Sequence, residues 1–479
     1  MESLNSYLTL THLRTSLKAA VWTAAVLTLG LAGCGGDGSS TPTSPAATTA
    51  VQINMGDAPA DWLLSFSMNV SSMSLKASGG QLVSVANSAT PMEMIHRLGT
   101  MEPVALIAAP RGTYTEAQLT IASCTFSYID PETKTLQQRT INGPIHASVP
   151  LGSNVNVGTT PLALNFDLDL QHSLSGDTGT AFQFTPQFHI ATGALSGSNG
   201  NGVNARYGGM YQLMGVVSGA SSNSFSMVGA QTANMFTFSV NAATQFRGRV
   251  TQMSQLGSGM GVLVTALLQS DGTYLAKQVR AMMGGAGAMG GGIITAVDAV
   301  PATQLTIVMQ NGAGASINTD YLSKTLLVKL LETTTYEVDT DRVSLTGLDF
   351  DTTFNASNIH VGQSILPLSD TAITAIASCD PACGELTAST VRLREQGARG
   401  TATVDINPGV VTSFTLTLPA GCAFTTLTGA TTITVYQQPG TNVEDNTTIT
   451  AGTTLRVHGL LFYSGGQWRL VASTISSAT

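Results

Sequence analysis

From residue 209 onward the chain repeats five short landmarks in one order three times, and this repeat constrains the fold most strongly. A glycine leads into an alternating segment, and a second alternating segment follows. Next come a threonine with an apolar residue two positions later, then a glycine and an alanine, each with an aliphatic residue three positions later. Such recurrence predicts three copies of one structural unit. The landmarks are Gly215, Gly292 and Gly400; residues 225–227, 305–307 and 414–416; Thr244 with Phe246, Thr334 with Tyr336 and Thr431 with Ile433; Gly261 with Val264, Gly362 with Ile365 and Gly452 with Leu455; and Ala276 with Val279, Ala388 with Val391 and Ala472 with Ile475.

Each unit contains about five short strand-like segments in roughly 70 to 110 residues, which suits a small closed or partly open β-barrel. Closure hides the sheet edges that would otherwise pair with other chains. The units resemble domain of unknown function 5666, a module frequent in bacterial envelope proteins. That resemblance implies a barrel without an assigned reaction. The second unit departs from the pattern at residues 337–357, which we interpret as an insertion.

The last strand is predicted at residues 467–475. Two landmark residues, Ala472 and Ile475, fall on opposite faces of a regular strand. We therefore expect this strand to bend, to form a bulge or to be covered on both sides.

Residues 51–192 are predicted to form a β-sandwich. Segments 64–70, 118–121 and 162–170 alternate apolar with polar residues, so each presents one face to a core. Two packed sheets bury several such faces together. Four motifs in order resemble domain of unknown function 4382 of bacterial and archaeal lipoproteins, namely residues 57–61, 111–115, 164–168 and 182–186. That resemblance implies a β-sandwich in an envelope protein and no established activity.

The first fifty residues predict export and lipid anchoring. Arg14 and Lys18 precede an apolar stretch at 19–29 that has signal-peptide length and is too short to span a bilayer. Residues 31–34, Leu-Ala-Gly-Cys, resemble the lipobox of bacterial lipoproteins, which implies cleavage before Cys34 and acylation of its thiol. The alternative is an ordinary signal peptide with a chance cysteine. In Gram-negative lipoproteins an aspartate after the cysteine signals inner-membrane retention, so Gly35 favours the outer membrane, on its periplasmic or surface face.

The charge balance argues against a nucleic-acid partner. Removal of residues 1–33 takes away Glu2, Arg14 and Lys18 and leaves 18 basic and 27 acidic residues, a formal net charge of −9. Nucleic-acid binding needs clustered positive charge. Charged residues make up only 10% of the chain, against about 25% in ordinary soluble proteins, and such a composition favours secreted β-structure.

The predicted organisation has eight segments. They are a signal peptide at 1–33, a flexible tether at 34–50, the β-sandwich at 51–192, a Gly-rich linker at 193–209, the first barrel at 210–283, a Gly-rich linker at 284–291, the second barrel at 292–395 and the third barrel at 396–479.

Sequence motifs of catalysis are scarce. Residues 285–290 have the Gly-x-Gly-x-x-Gly spacing of a dinucleotide loop, but a strand-like segment follows instead of a helix, so we interpret them as linker. The chain has no Gly-x-Ser-x-Gly or His-Glu-x-x-His motif. His172 and His458 are expected at strand ends or on the surface. We therefore predict no catalytic residues and no cofactor.

Four aspartates are weak candidates for cation binding. Asp167 and Asp169 lie two positions apart in an alternating segment and so share one strand face. Asp57 and Asp61 flank Ala-Pro-Ala, and their first expected role is turn formation. Carboxylates on one face can bind Ca²⁺, but this cation takes six to eight oxygens and the chain has no EF-hand loop. The preferred interpretation is a solvated strand face and a turn.

Cysteines give one further prediction. Cys379 and Cys383 flank Asp-Pro-Ala, and in an oxidising compartment this spacing favours a local disulfide over free thiols or a metal site. Cys124 and Cys422 are expected to be buried free thiols.

These observations predict a non-catalytic, lipid-anchored envelope protein with a binding, adhesive or structural role. Its expected partners are the membrane, through the lipid on Cys34, and an envelope protein or glycan. Two alternatives remain open. One is a polysaccharide-active hydrolase, which needs paired carboxylates in a cleft. The other is a Ca²⁺-dependent ligand-binding protein.

Overall fold

The computed structural model describes residues 46–58, 60–86, 90–95, 101–176, 181–196, 203–232, 234–314, 319–377, 383–403, 412–444 and 447–478. The predicted signal peptide, Cys34 and Cys379 lie outside these ranges. Most of the described chain forms β-strands and very little of it is helical, as the predicted all-β class requires. None of its helices is both long enough and apolar enough to cross a membrane.

The first part of the described chain forms the predicted β-sandwich. Its elements are β1 (Thr48–Ala58), β2 (Leu63–Ala77), β3 (Leu82–Ala86), β4 (Thr90–Glu93), β5 (Met101–Pro110), β6 (Gly112–Ile129), β7 (Leu136–Val157), β8 (Leu162–Asp169), α1 (Leu170–Ser173), β9 (Leu174–Ser175), β10 (Gln183–Phe184) and β11 (Phe188–Ala194). One sheet has the order β11-β8-β1-β5, and the other has the order β3-β2-β6-β7, with β4 also paired to β2. Ile53, Phe66, Phe126 and Phe166, from both sheets, share one fully buried core.

Three barrels follow the sandwich. The first contains β12 (Gly209–Ala220), β13 (Ser224–Gly229), β14 (Met235–Ser239), β15 (Gln245–Gly248), β16 (Gly261–Leu268) and β17 (Tyr274–Met283). The second contains β18 (Ala288–Val297), β19 (Gln304–Gly314), β20 (Thr325–Val338), β21 (Ser364–Ser369), β22 (Thr374–Ile376) and β23 (Cys383–Leu393). The third contains β24 (Glu395–Thr403), β25 (Thr412–Thr417), α2 (Ala423–Thr428), β26 (Thr432–Val443), β27 (Thr454–Ser464) and β28 (Gln467–Ser477). Short 3-10 helices span Ala205–Tyr207, Met253–Gln255 and Thr319–Tyr321.

All three barrels close in the same strand order. The rings are β12-β13-β14-β17-β16, β18-β19-β20-β23-β21 and β24-β25-β26-β28-β27, each with its last strand paired to its first. The third and fifth strands in sequence run parallel, and the other ring neighbours are antiparallel. Five strands in this Greek-key order form the OB-fold, a small barrel. The prediction of repeated small β-barrels is therefore confirmed.

A buried threonine recurs at an equivalent place in every barrel, within β20 and β26 in the second and third barrels and between β14 and β15 in the first. Thr244, Thr334 and Thr441 each accept a hydrogen bond from the backbone N–H three residues earlier. Each also donates one, at 2.8 Å, to the carbonyl of the corresponding alanine landmark on the fifth strand. The alanine landmarks therefore occupy equivalent positions. Thr431 was the wrong choice for the third threonine landmark, which is Thr441. Threonine alternates with apolar residues where β26 begins, so the same local pattern arises there by strand alternation.

A second landmark also differs from its prediction. Gly259, Gly362 and Gly452 have φ values of 85°, 96° and 86°, and each donates its N–H to a carbonyl of the first strand at 2.8 Å. Positive φ favours glycine at these turns. The predicted landmark Gly261 is instead the first residue of β16, because spacing to an aliphatic residue does not reveal backbone conformation.

The glycines near the start of each barrel are fixed by close packing. An added Cβ would lie within 2.6 Å of a neighbouring backbone oxygen at Gly215, 2.1 Å at Gly292 and 2.4 Å at Gly400. Crowding also affects the predicted linker at 284–291, because its last four residues form part of a strand instead of a linker. Ala288 to Gly291 belong to β18 and are buried, so these glycines reflect packing rather than flexibility.

The last strand, β28, carries the predicted irregularity. His458 pairs with Thr474 and Gly459 with Ala472, which leaves Ser473 as a bulge. The bulge lets Ala472 and Ile475 both enter the core of the third barrel. It also turns the Ser473 hydroxyl toward Glu395.

Residues Ala46–Thr479 form one compact unit. Met214, Leu263, Met289 and Leu366 share a core between the first and second barrels. All but two residues of the predicted insertion lie in segment 339–363, which has no strand. This segment contributes Val343 and Phe354 to a core shared with the third barrel.

Candidate functional site at the junction of the sandwich and the barrels

Two adjoining cavities lie where the sandwich meets the barrels. The first has a volume of about 130 Å³, and its lining combines leucine, isoleucine and phenylalanine residues with polar and charged residues. We call it the apolar-walled cavity. The second, of about 120 Å³, is lined mainly by polar and charged side chains, and we call it the polar cavity. Asn311, Arg394 and Glu395 line both cavities.

The three shared residues are brought together by two barrels. Asn311 lies near the end of β19, Arg394 separates β23 from β24, and Glu395 begins β24. Gly291 of β18 pairs with Asn311 on the neighbouring strand, β19. An added Cβ at Gly291 would lie 2.1 Å from Asn311 Oδ1, so the absence of a side chain there gives the amide its position.

Glu395 is anchored through one of its two carboxylate oxygens. Ser473 donates to Oε2 at 2.6 Å, and His458 Nδ1 lies 2.9 Å from the same atom and donates its proton, since a carboxylate only accepts. Burial raises the pKa of the carboxyl, but the Arg342 guanidinium and these two hydrogen bonds outweigh burial and lower it to about 2. Glu395 is therefore ionised at neutral pH. Its Oε1 atom is buried and has no hydrogen-bond partner within the described chain.

Asn311 and Arg394 have unused hydrogen-bonding groups. Asn311 is 6% exposed, and its Oδ1 has no partner among the described residues. The guanidinium of Arg394 likewise makes no hydrogen bond or close ion pair in the described part of the chain. Burial lowers the pKa of Arg394, with the Asp339 carboxylate opposing the shift, and an arginine remains cationic at neutral pH.

Asp341 ties the polar cavity to the first barrel. Its Oδ1 lies 2.9 Å from Arg280 Nη2 and 3.2 Å from Arg247 Nη1, and its Oδ2 accepts a hydrogen bond from Gln278 at 3.0 Å. Burial raises the pKa of Asp341, but Arg280 and the other donors outweigh it and lower the pKa. Segment 339–363 is thereby fixed against the first barrel, and it delivers Asp339 and Arg342 to the cavity wall.

Asp61, expected to form a turn, lines the apolar-walled cavity. Its Oδ2 accepts a hydrogen bond from Arg399 Nη1 at 2.8 Å. Burial raises the pKa of the Asp61 carboxyl, and Arg399 opposes that shift. Asp61 is therefore an ion-pair partner in the cavity wall.

The remaining candidate cation ligands have other contacts. Asp167 lies 3.8 Å from Arg206, and Asp169 caps α1 and contacts His172 at 2.7 Å. Their side chains are 19% and 17% exposed, so the expectation of a solvated strand face was wrong. Neighbouring basic side chains cover this end of β8. The side chain of Asp57 lies outside the described part. Among described residues, no group of three or more His, Cys, Asp or Glu side chains could hold a metal ion.

Both predicted free thiols are buried. Cys124 and Cys422 are free cysteines, and burial raises the pKa of the Cys124 thiol. Cys422 caps α2, where its Sγ accepts a hydrogen bond from the Thr425 N–H at 3.4 Å. Cys379 and the side chain of Cys383 lie outside the described residues, so their disulfide stays a prediction.

Sequence reasoning missed the central residues of this site. Asn311, Arg394 and Glu395 belong to no motif. His458, expected at a strand end or on the surface, lies within β27 and is bound to Glu395 with 14% of its side chain exposed. One signal was present, because residues 391–396, Val-Arg-Leu-Arg-Glu-Gln, place three charged residues together in a chain that is only 10% charged. Arginine and glutamate are almost never buried unless paired. Charges at a strand junction could therefore have indicated a polar interior.

A known protein family matches the first barrel. Residues 214–280 match the Domain of unknown function (DUF5666). This match confirms the predicted resemblance for the first barrel. No curated protein matches the chain. A solved structure titled drosophila Unr CSD456 is 10% identical and covers 56% of this chain and 97% of its own, with a TM-score of 0.12. At that TM-score the similarity carries no argument about function.

Proposed function

We propose that the protein is a non-catalytic, lipid-anchored envelope protein that binds a ligand where its domains meet. The observation that carries this proposal is the pair of adjoining cavities whose shared residues, Asn311 and Arg394, have no side-chain partners in the described chain. Buried polar groups are nearly always hydrogen-bonded. Cavities at domain junctions with a few convergent polar groups are the usual form of small-molecule sites. A ligand would supply the missing partners.

The anchor belongs to the same proposal. Cleavage before Cys34 and acylation of its thiol would hold the protein to the outer membrane, since two or three acyl chains make anchoring nearly permanent. The tether would end before Thr48, where β1 begins, and residues 34–47 would have a reach of roughly 20 Å as a coil. The resemblance of residues 51–192 to domain of unknown function 4382 supports an envelope location. The acidic net charge supports a partner other than nucleic acid.

The binding role is tested by recovering the ligand. The full chain is purified from bacterial envelopes under native conditions and denatured, and the released small molecules are quantified by mass spectrometry. We expect an enriched compound with wild type and its loss with Asn311→Phe, which replaces the unpartnered amide and fills the junction. Leu82→Phe, at an exposed position, is the matched control and should retain the compound. Thermal unfolding of each variant establishes that it is folded. No enriched compound, or equal recovery from Asn311→Phe, would reject the proposal.

A polysaccharide-active hydrolase is the second candidate, favoured by one observation. Asp61 and Glu395 both line the apolar-walled cavity, and their pKa values are displaced in opposite directions. Such a pair is the pattern of a general acid beside an ionised carboxylate. The binding role is preferred because Arg399 already holds the Asp61 carboxylate at 2.8 Å. Release of reducing ends from envelope polysaccharide, abolished by both Asp61→Asn and Glu395→Gln, would favour the hydrolase.

A further inference from the structure

We infer that the apolar-walled cavity binds a short-chain monocarboxylate anion of the size of propionate. This inference rests on the proposed binding function and names the ligand class. It follows from a cationic side chain without a counter-charge, a neighbouring amide donor without an acceptor, and the small volume and partly apolar lining of the cavity.

The charged side chains that line the cavity leave a positive group unmatched. Asp61 and Arg399 pair with each other at 2.8 Å. Glu395 is compensated by Arg342, whose Nη1 lies 3.8 Å from Oε2, and by two hydrogen bonds to the same oxygen. Arg394 has no close ion-pair partner in the described chain. A buried charge without compensation is costly, so the group that this wall lacks is a negative one.

The unpartnered donors of the wall are open to the cavity, whereas the unpartnered acceptors are not. Asn311 Oδ1 and Glu395 Oε1 are enclosed by protein. The Arg394 guanidinium and Asn311 Nδ2 make no hydrogen bond within the described chain, yet their nitrogens are not among its enclosed, unpartnered atoms. These nitrogens therefore retain surface toward the cavities that both residues line. Water can accept hydrogen bonds from them, but only an anion also supplies the missing charge.

A carboxylate suits this arrangement better than an inorganic anion does. The guanidinium fork of Arg394 matches a carboxylate and binds it through two parallel hydrogen bonds. Either carboxylate oxygen keeps a lone pair for the Asn311 amide. Leu64, Ile293 and Leu427 are among the apolar residues of the lining, and an inorganic anion would place its polar atoms against them. A short hydrocarbon chain gains from the same contact.

The volume of the cavity limits the length of that chain. An apolar cavity of about 150 Å³ holds a benzene molecule, and this cavity measures about 130 Å³. Propionate has one non-hydrogen atom fewer than benzene and therefore fits, whereas the longer chain of hexanoate does not. A ligand this small is expected to bind with a Kd between about 1 μM and 1 mM.

The first test compares ligands on the wild-type protein. The full chain, purified from envelopes, is placed in lipid nanodiscs and titrated with sodium propionate by calorimetry at constant ionic strength, with empty nanodiscs as the blank. Propionamide has the same shape without the charge, sodium nitrate has the charge without the hydrocarbon, and hexanoate exceeds the volume. We expect propionate to bind about tenfold or more tightly than each of these. No variant has to fold for this comparison.

Two substitutions then assign the contacts. Arg394→Gln removes the charge and Asn311→Asp replaces the amide donor with a carboxylate, and each should weaken propionate binding about tenfold or more. Arg139→Gln, at an exposed position, is the matched control for loss of a positive charge and should bind propionate like wild type. Thermal unfolding establishes that each variant is folded, and propionate should raise the melting temperature of wild type and the control alone.

Three results would overturn the inference. They are no propionate binding up to about 10 mM, a comparison ligand that binds within about twofold of propionate, and unchanged propionate affinity in either variant. Failure of the binding role itself is distinguishable. If propionate does not bind but envelopes yield a different compound that is lost with Asn311→Phe, the carboxylate is rejected and the binding role stands.

Discussion

Arg392 Nη2 lies 2.6 Å from Asp339 Oδ1, and both side chains are shielded almost completely from solvent. Arg392 belongs to β23, and Asp339 begins the segment that leaves β20. Two other nitrogens of Arg392, Nε and Nη1, are buried without hydrogen-bond partners in the described chain. Because the other carboxylates of the described residues lie no nearer than 3.9 Å, Asp339 provides the main compensation for this buried cation.

Arg392→Met should destabilise the protein by about 3 to 5 kcal/mol, since removing one partner leaves a buried charge uncompensated. The double variant Arg392→Met with Asp339→Leu should recover part of the loss, because no unpaired charge remains. Calorimetric thermal unfolding measures both. The matched control is Arg249→Met, which breaks an exposed ion pair with Asp370 and should cost at most about 1 kcal/mol. Equal melting temperatures for Arg392→Met and the control would contradict the assignment.

Thr334→Val tests the repeated threonine bridge. The substitution keeps the shape of the side chain but leaves the Leu331 N–H and the Ala388 carbonyl without the partner they have at 2.8 Å. We expect a loss of about 1 to 3 kcal/mol in the free energy of unfolding. Thr335→Val, at the adjacent exposed position, should change stability by less than about 0.5 kcal/mol. Similar unfolding curves for both variants would show that the bridge does not stabilise the barrel.

Local periodicity was enough to predict the repeated barrels and the sandwich. Strands alternate buried and exposed positions, so a strand can be recognised from a few neighbouring residues. The bulge at Ser473 was also accessible, because Ala472 and Ile475 cannot share one face of a regular strand. Thr441 and Gly259 were missed since their roles depend on a hydrogen bond across strands and on backbone conformation.

The candidate site could not be predicted in the same way. Glu395 contacts His458 and Ser473, which lie 63 and 78 residues away in sequence. Arg394 lies between β23 and β24, where the second and third barrels join, and it has no close side-chain partner among the described residues. Burial of a charged residue depends on such distant neighbours, and no local pattern records them. The one usable indication of a polar interior was the clustering of three charged residues within 391–396.

Gly292→Ala should destabilise the second barrel strongly. A Cβ there would lie 2.1 Å from the Val308 carbonyl oxygen, so the strands must separate, at a cost of at least the roughly 1 to 3 kcal/mol typical of overpacking. Gly219→Ala is the control, because a Cβ at that strand position meets nothing within 4 Å. Denaturant unfolding of the two variants should differ clearly. If the two unfold at the same denaturant concentration, the close approach does not restrict this position.

Cys34→Ser should abolish lipid anchoring. Without the thiol no diacylglycerol can be attached, so processing should stop and the protein should leave membrane fractions in detergent-free buffer. Intact-protein mass spectrometry and membrane fractionation measure the two effects. Cys124→Ser is the control for loss of a thiol, since Cys124 is buried and free, and its acyl mass should match wild type. Mature wild-type protein without acyl mass would contradict the anchoring proposal.

Glu395 should make stability depend on acid pH. Its pKa is about 2 in the folded protein against an ordinary value of 4.5, so its stabilising contribution is complete above about pH 4.5. That contribution is lost as the pH falls toward 2, because the folded state then binds a proton at the expense of its contacts with Arg342 and His458. Wild type should exceed Glu395→Gln by on the order of 3 kcal/mol at pH 6, and the difference should shrink toward pH 2. Chemical unfolding at each pH gives both curves, with Glu385→Gln, which breaks a more exposed pair with Lys329, as the control that should parallel wild type. A constant difference between wild type and Glu395→Gln across this range would show that the carboxyl does not titrate as described.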